Sequence, residues 1–126
     1  MEIRLNELSQ SALAYLGDSV MELCVRSMLV KKGYSKSKKL NAAALEYVTA
    51  PAQARAAERL LPYLSEEEKE VYQRGRNSSV NNVPKSASCG EYKSATGLEA
   101  LFGYLYLAQR QDRIDELFSL AYPDET

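Results

Sequence analysis

Histidine is absent from the chain. That excludes histidine-based catalytic triads, the usual zinc centres and imidazole proton shuttles. Cysteine is scarce, with only Cys24 and Cys89. Cys24 lies in an apolar helical run, where a small core residue is expected, and no disulfide is expected in a reducing compartment. Long apolar runs are missing, so no segment reads as membrane-spanning. The opening MEIRLNELSQ carries acids and lacks the basic-then-apolar pattern of a signal peptide, which points to a cytoplasmic location. Sustained period-two alternation is also missing, which argues against strands. Any acid–base or metal chemistry must therefore rest mainly on carboxylates and bound water.

What is present reads as one all-α domain over residues 1–126. The pattern predicts helices over about 9–32, stopped by Gly33, over 37–48, and from a Thr49 cap with Pro51 in the first turn to about Leu61. Ser65 followed by Glu66–Glu68 is a capping-box start for a fourth helix ending near Asn77. Residues 78–92 read as a long irregular loop, followed by helices over about 94–109 and 111–121. The net charge is only −1, but it is segregated. Arg26, Lys31, Lys32, Lys36, Lys38 and Lys39 occur without an intervening acid, and Arg74, Arg76, Lys85 and Lys93 surround a single one, Glu91. Such segregation either forms a basic face on a near-neutral protein or leaves two solvated lysine-rich surfaces.

Two carboxylates stand in unusual places. The first helix is apolar nearly all round, which predicts a central, buried element. Its charges Asp18, Glu22 and Arg26 fall at i, i+4 and i+8, in one stripe. That stripe is either a narrow solvent-facing edge with a Glu22–Arg26 pair or part of a site. Glu99 is the only charge between Lys93 and Arg110 and sits among Leu98, Leu101, Phe102 and Leu105. It must reach solvent, pair with a distant arginine, or serve a site. Gly17 adjoins Asp18 and Gly103 follows Glu99 by one turn. Glycine in a helix interior costs about 1 kcal/mol relative to alanine, and close helix–helix approach is a reason to accept it. If the two helices cross there, Asp18 and Glu99 face each other and repel unless a cation lies between them. An oxygen-only donor set favours magnesium or manganese over zinc. Such an ion can activate water for attack on a phosphodiester.

LAYLGDSVMEL resembles the signature helix of the ribonuclease III catalytic domain, and GLEALFGYLYL resembles that family's second catalytic helix. YQRGRNSSV is similar to the Arg–Gly–Arg–Asn segment of its compact Mini-III branch, here Arg74–Asn77. The three motifs occur in the family's order and the resemblance covers about residues 8–120. It implies a ribonuclease III-type endonuclease domain, a helical bundle forming a homodimer, without a separate double-stranded-RNA-binding domain. By the same resemblance Asp18 and Glu99 are the catalytic and metal-binding residues, for Mg2+ with Mn2+ able to substitute. Glu22 and Thr96 flank them. Ala14 and Thr96 stand where the larger enzymes carry acids, as in the Mini-III branch, leaving fewer protein ligands for the ion.

The implied partner is double-stranded RNA, and the implied substrate a stem of the large-subunit (23S) ribosomal RNA precursor, cut with or without help from a ribosomal protein. Arg74, Arg76, Asn77, Lys85, Tyr92 and Lys93 are the expected RNA contacts, with Lys36, Lys38 and Lys39 as weaker candidates. Tyr104 and Tyr106 are expected in the core or a dimer interface rather than as base-stacking platforms. The competing readings are a non-catalytic RNA-binding or ribosome-assembly module on the same fold, and a helical protein-interaction dimer.

Overall fold

The computed structural model describes residues 4–78 and 88–123. These residues form six α-helices and no strand. They are α1 (Gln10–Lys31), α2 (Ser37–Val48), α3 (Ala50–Leu60), α4 (Glu66–Ser78), α5 (Cys89–Leu107) and α6 (Gln111–Ala121), with short 3-10 turns at Leu5–Glu7 and Leu61–Tyr63. Among the described residues no helix is long and apolar enough to cross a membrane.

The helix ends follow the local chemistry. The Ser9 side chain accepts from the Ala12 amide at 3.0 Å and opens α1. Gly33 ends it at φ +101°, a left-handed conformation suited to glycine, and the Tyr34 amide returns to the Leu29 carbonyl at 3.2 Å. Thr49 caps α3, whose first turn contains Pro51. Ser65 and Glu68 exchange reciprocal backbone bonds of 2.8 and 3.1 Å at the start of α4.

The structure departs from the sequence expectation at α5, which begins at Cys89 rather than near Ser94. Its start is a second capping box, in which the Ser88 hydroxyl takes the Glu91 amide and the Glu91 carboxylate takes the Ser88 amide. That signal was hidden within a Ser- and Asn-rich stretch. The rest of the predicted loop, residues 79–87, lies outside the described residues, and Lys85 with it.

The central helix is α5, not α1. Leu98, Ala100, Leu101, Phe102 and Leu105 are buried, and α5 packs against α1, α3 and α4. Truncating a side chain as enclosed as Phe102 to alanine costs about 3–5 kcal/mol. By contrast α1 buries Leu13, Val20, Met21, Val25 and Leu29 on one side only. Its outer side leaves Tyr15 84%, Leu23 66% and Val30 60% exposed. An apolar sequence all round does not make α1 a core helix within one chain; it leaves an uncovered apolar strip.

Glycines set how α5 meets its neighbours. A Cβ on Gly17 would sit 1.6 Å from the Glu99 carbonyl oxygen, and one on Gly103 would sit 2.1 Å from the Leu13 carbonyl oxygen. The backbones of α1 and α5 are therefore in direct contact, as the sequence predicts. A second crossing was not anticipated: a Cβ on Gly75 of α4 would meet the Gly97 Cα at 2.8 Å.

Candidate active site

The α1–α5 crossing brings together the two carboxylates singled out in the sequence. Because Gly17 rests on the Glu99 carbonyl, the next residue, Asp18, is delivered beside the Glu99 side chain. The two carboxyls lie close enough for the charge of one to act on the other. Asp18 is exposed and Glu99 half-buried. Burial first, then the negative charge of Asp18, push the Glu99 carboxyl up to about 8. At neutral pH the pair thus holds a proton on Glu99. The structure shows the solvent-facing edge of the Asp18–Glu22–Arg26 stripe. It does face solvent, with Arg26 Nε donating to Glu22 at 3.1 Å, while Asp18, at its end, meets Glu99.

Glu22 lies one turn beyond Asp18 and is occupied by Arg26. Thr96 lies one turn before Glu99, and its hydroxyl donates to the Tyr92 carbonyl at 3.0 Å. Tyr92, Thr96 and Glu99 follow at i, i+4 and i+7, along one side of α5. Among the described residues no cluster of three or more His, Cys, Asp or Glu side chains is present. The protein donor set here is two carboxylates.

That set suits a hard divalent cation. It offers only oxygen, it is small enough to leave most of a magnesium shell to water and phosphate, and its raised proton affinity comes from burial first and then from the Asp18 charge, which a cation would offset.

The remaining candidates gather where α4 ends and α5 begins, drawn together by the Gly75–Gly97 crossing. Arg76 is half-buried and donates to the Ser94 hydroxyl, tying the two helices together. Arg74 is exposed and paired with Glu70 on its own helix. Asn77 is exposed; Tyr92 and Lys93 are half-buried on the first turns of α5. Tyr92 and Lys93 precede Glu99 by six or seven residues, roughly 10 Å along the helix axis. Ser94 was not singled out in the sequence. Gly75 in a helix interior is the signal that could have found this crossing, by the logic applied to Gly17. Tyr104 is half-buried with its hydroxyl donating to Glu67, and Tyr106 is exposed. Cys24 is half-buried, and burial pushes its thiol up to about 11, which makes it unreactive.

Comparison with known proteins matches residues 11–110 to the family model described as the ribonuclease III domain. The Mini-ribonuclease 3 of Symbiobacterium thermophilum is 47% identical over 86% of this chain and 84% of its own length. That of Streptococcus pneumoniae is 39% identical over 93% of each chain. The crystal structure of a Fusobacterium nucleatum protein superposes with a TM-score of 0.83 at 32% identity, covering 90% of this chain and 91% of that one.

Proposed function

This chain belongs to the ribonuclease III family, in its Mini-ribonuclease 3 branch, and from that premise we propose that it cuts double-stranded RNA with Asp18 and Glu99 at its working centre. The observation that carries the site assignment is the closeness of Asp18 and Glu99, a carboxyl pair formed by two helices whose backbones touch. Ribonuclease III enzymes depend on a divalent metal; magnesium is the ion proposed, with manganese as a substitute.

Asp18 and Glu99 would hold the ion. When bound, it would lower the pKa of a coordinated water and stabilise charge on the scissile phosphate. Glu99 would have to give up its proton to serve as a ligand, which would couple occupancy of the site to proton release. Gly17 and Gly103 keep the two carboxylates at a fixed spacing. Thr96 and Glu22 flank the pair, and their own hydrogen bonds orient the local side chains.

Arg74, Arg76, Asn77, Tyr92 and Lys93 would contact the duplex beside the pair. RNA duplexes are recognised largely by shape, through phosphates and 2′-hydroxyls, which suits a group of cations and polar side chains without a base-reading element. Lys85 belongs to the same proposal, though it lies outside the described residues.

Cutting both strands calls for two centres, and a homodimer supplies them. The strip of Tyr15, Leu23 and Val30 on α1 supports that arrangement, because a monomer would leave it wet. The proposed biological substrate is a stem of the 23S ribosomal RNA precursor, in the cytoplasm, with a ribosomal protein as a possible assisting partner.

Cleavage of a long RNA duplex in magnesium tests the reading. Asp18→Asn and Glu99→Gln should each abolish cutting while the dimer and duplex binding persist. Cutting at the parental rate by both variants would refute the site assignment.

A further inference from the structure

A polar pocket of about 370 Å³ opens between the C-terminal ends of α1, α2 and α6 and the side of α3. Lys32, Glu46, Tyr47, Arg55, Arg59 and Tyr122 line it. Its back wall is fixed: the Tyr122 hydroxyl donates to the Tyr47 carbonyl at 2.8 Å, and the two rings meet edge-on with centroids 5.3 Å apart.

Two of its three cations have structural work. Lys32 caps the C-terminus of α1, where a positive charge offsets the helix dipole. Arg59 Nη1 donates to the Ala121 carbonyl at 2.9 Å, at the end of α6. That bond uses one of the five N–H groups of the guanidinium. Arg55 is different. It is exposed, and makes no hydrogen bond or ion pair among the described residues. It stands one turn before Arg59, and like charges at i, i+4 on a helix repel. Glu46 is the carboxylate facing the pocket from α2, and it forms no ion pair with Arg55. Both arginines lie close enough to the Tyr122 hydroxyl to oppose the effect of burial, which nonetheless pushes that phenol up to about 12. Arg55 and the remaining N–H groups of Arg59 offer donors to an anion at this pocket, with Glu46 as the acid among its lining.

Its place on α1 suggests which one. Lys32 follows Asp18 by fourteen residues, just under four helical turns, so the two lie on nearly the same side of α1, roughly 21 Å apart along its axis. A duplex held at the carboxylate pair and running along α1 would bring a phosphate to the pocket. We propose that Arg55, with Arg59, forms an outlying phosphate seat that grips the RNA backbone beyond the cut site. The proposal rests on the nuclease reading and adds to it a contact that sets how long a duplex the enzyme prefers.

The salt dependence of duplex binding tests it, measured on the full-length protein for the parent, Arg55→Gln and Arg55→Lys. Two duplexes are used, one long and one too short to reach from the cut site to the pocket. Each phosphate contact contributes about one to the slope of log affinity against log salt. Arg55→Gln should lower that slope by about one per pocket engaged on the long duplex and leave the short one unchanged. Arg55→Lys should restore much of it. The short duplex should be cut at the parental rate by all three proteins, and thermal melting checks that each is folded. An unchanged slope on the long duplex would overturn the proposal. So would binding of 5′-AMP or inorganic phosphate that Arg55→Gln abolishes while the long-duplex slope stays unchanged, since the pocket would then serve a free phosphate. Failure of the parent to cut either duplex in magnesium would instead strike at the nuclease reading, leaving the slope comparison to judge the phosphate seat.

Discussion

Glu99 and Asp18, eighty-one positions apart in sequence, stand side by side at the α1–α5 crossing, and burial followed by the Asp18 charge pushes the Glu99 carboxyl up to about 8. This pairing has a consequence for stability without metal. A group whose folded pKa is raised stabilises fully below its unfolded value and loses that contribution as pH rises through the folded one. Between about pH 4.5 and 8, therefore, Glu99 should progressively destabilise the metal-free protein. Melting temperatures in chelator should fall across that window. Glu99→Gln should remove most of the fall and melt higher than the parent at pH 8. Magnesium affinity should rise with pH up to about 8 and then level, as proton competition ends.

The glycine crossing can be broken by one methyl group. Gly17→Ala would place its Cβ where the Glu99 carbonyl oxygen stands, 1.6 Å away, so α1 and α5 must separate. Overpacking of this kind costs about 1–3 kcal/mol, and a backbone clash lies at the upper end or beyond. Denaturant unfolding should show that loss. Cleavage should fall much further than stability does, because the same separation parts the two carboxylates. Retention of parental cleavage by a folded Gly17→Ala protein would show that their spacing is not set by this contact.

How much of this was legible follows from the kind of signal each feature leaves. Gly17 beside Asp18 and Gly103 after Glu99 mark the α1–α5 crossing, since a glycine inside a helix carries a cost that close packing explains. The start of α5 was placed too late because Ser88 and Glu91 form their capping box within a segment that otherwise reads as turn. The burial of α1 was overestimated because its composition cannot distinguish a side that faces the core from one that faces another molecule. The Arg76–Ser94 and Arg113–Glu68 contacts join residues 18 and 45 positions apart and leave no periodic trace.

Arg113 anchors α6 to the start of α4. Its guanidinium donates to both carboxylate oxygens of Glu68 at 2.7 and 2.8 Å and to the Tyr63 carbonyl at 2.8 Å. The two side chains are only 17% and 7% exposed. Removing one partner of such a pair costs about 3–5 kcal/mol, so Arg113→Ala should unfold at clearly lower denaturant while leaving the carboxylate pair intact. The hydrogen bond from Arg113 is the main cause holding the Glu68 carboxyl below its ordinary value. Its stabilisation is present at neutral pH and lost as pH falls through the lowered value, the opposite sense to Glu99. Glu68→Gln should lower stability at neutral pH and flatten the acid limb of the profile, while the fall between about pH 4.5 and 8 that Glu99 sets keeps its slope.

The outer strip of α1 predicts the state of assembly. Tyr15→Asp or Leu23→Asp should shift the protein toward monomer in sedimentation equilibrium. Double-strand cutting should drop in parallel, and melting of the individual chain should change little. Full activity from a protein that sediments as a monomer would remove the dimer from the account.

The central claim is that Asp18 and Glu99 bind one divalent ion between them. Anomalous diffraction from a crystal grown with an RNA duplex and manganese tests it most directly. A manganese peak within about 2.0–2.6 Å of a carboxylate oxygen from each residue, bridging to an RNA phosphate, is the predicted result. A fully occupied manganese site bound elsewhere, with no ion between the two carboxyls beside the scissile phosphate, would contradict it.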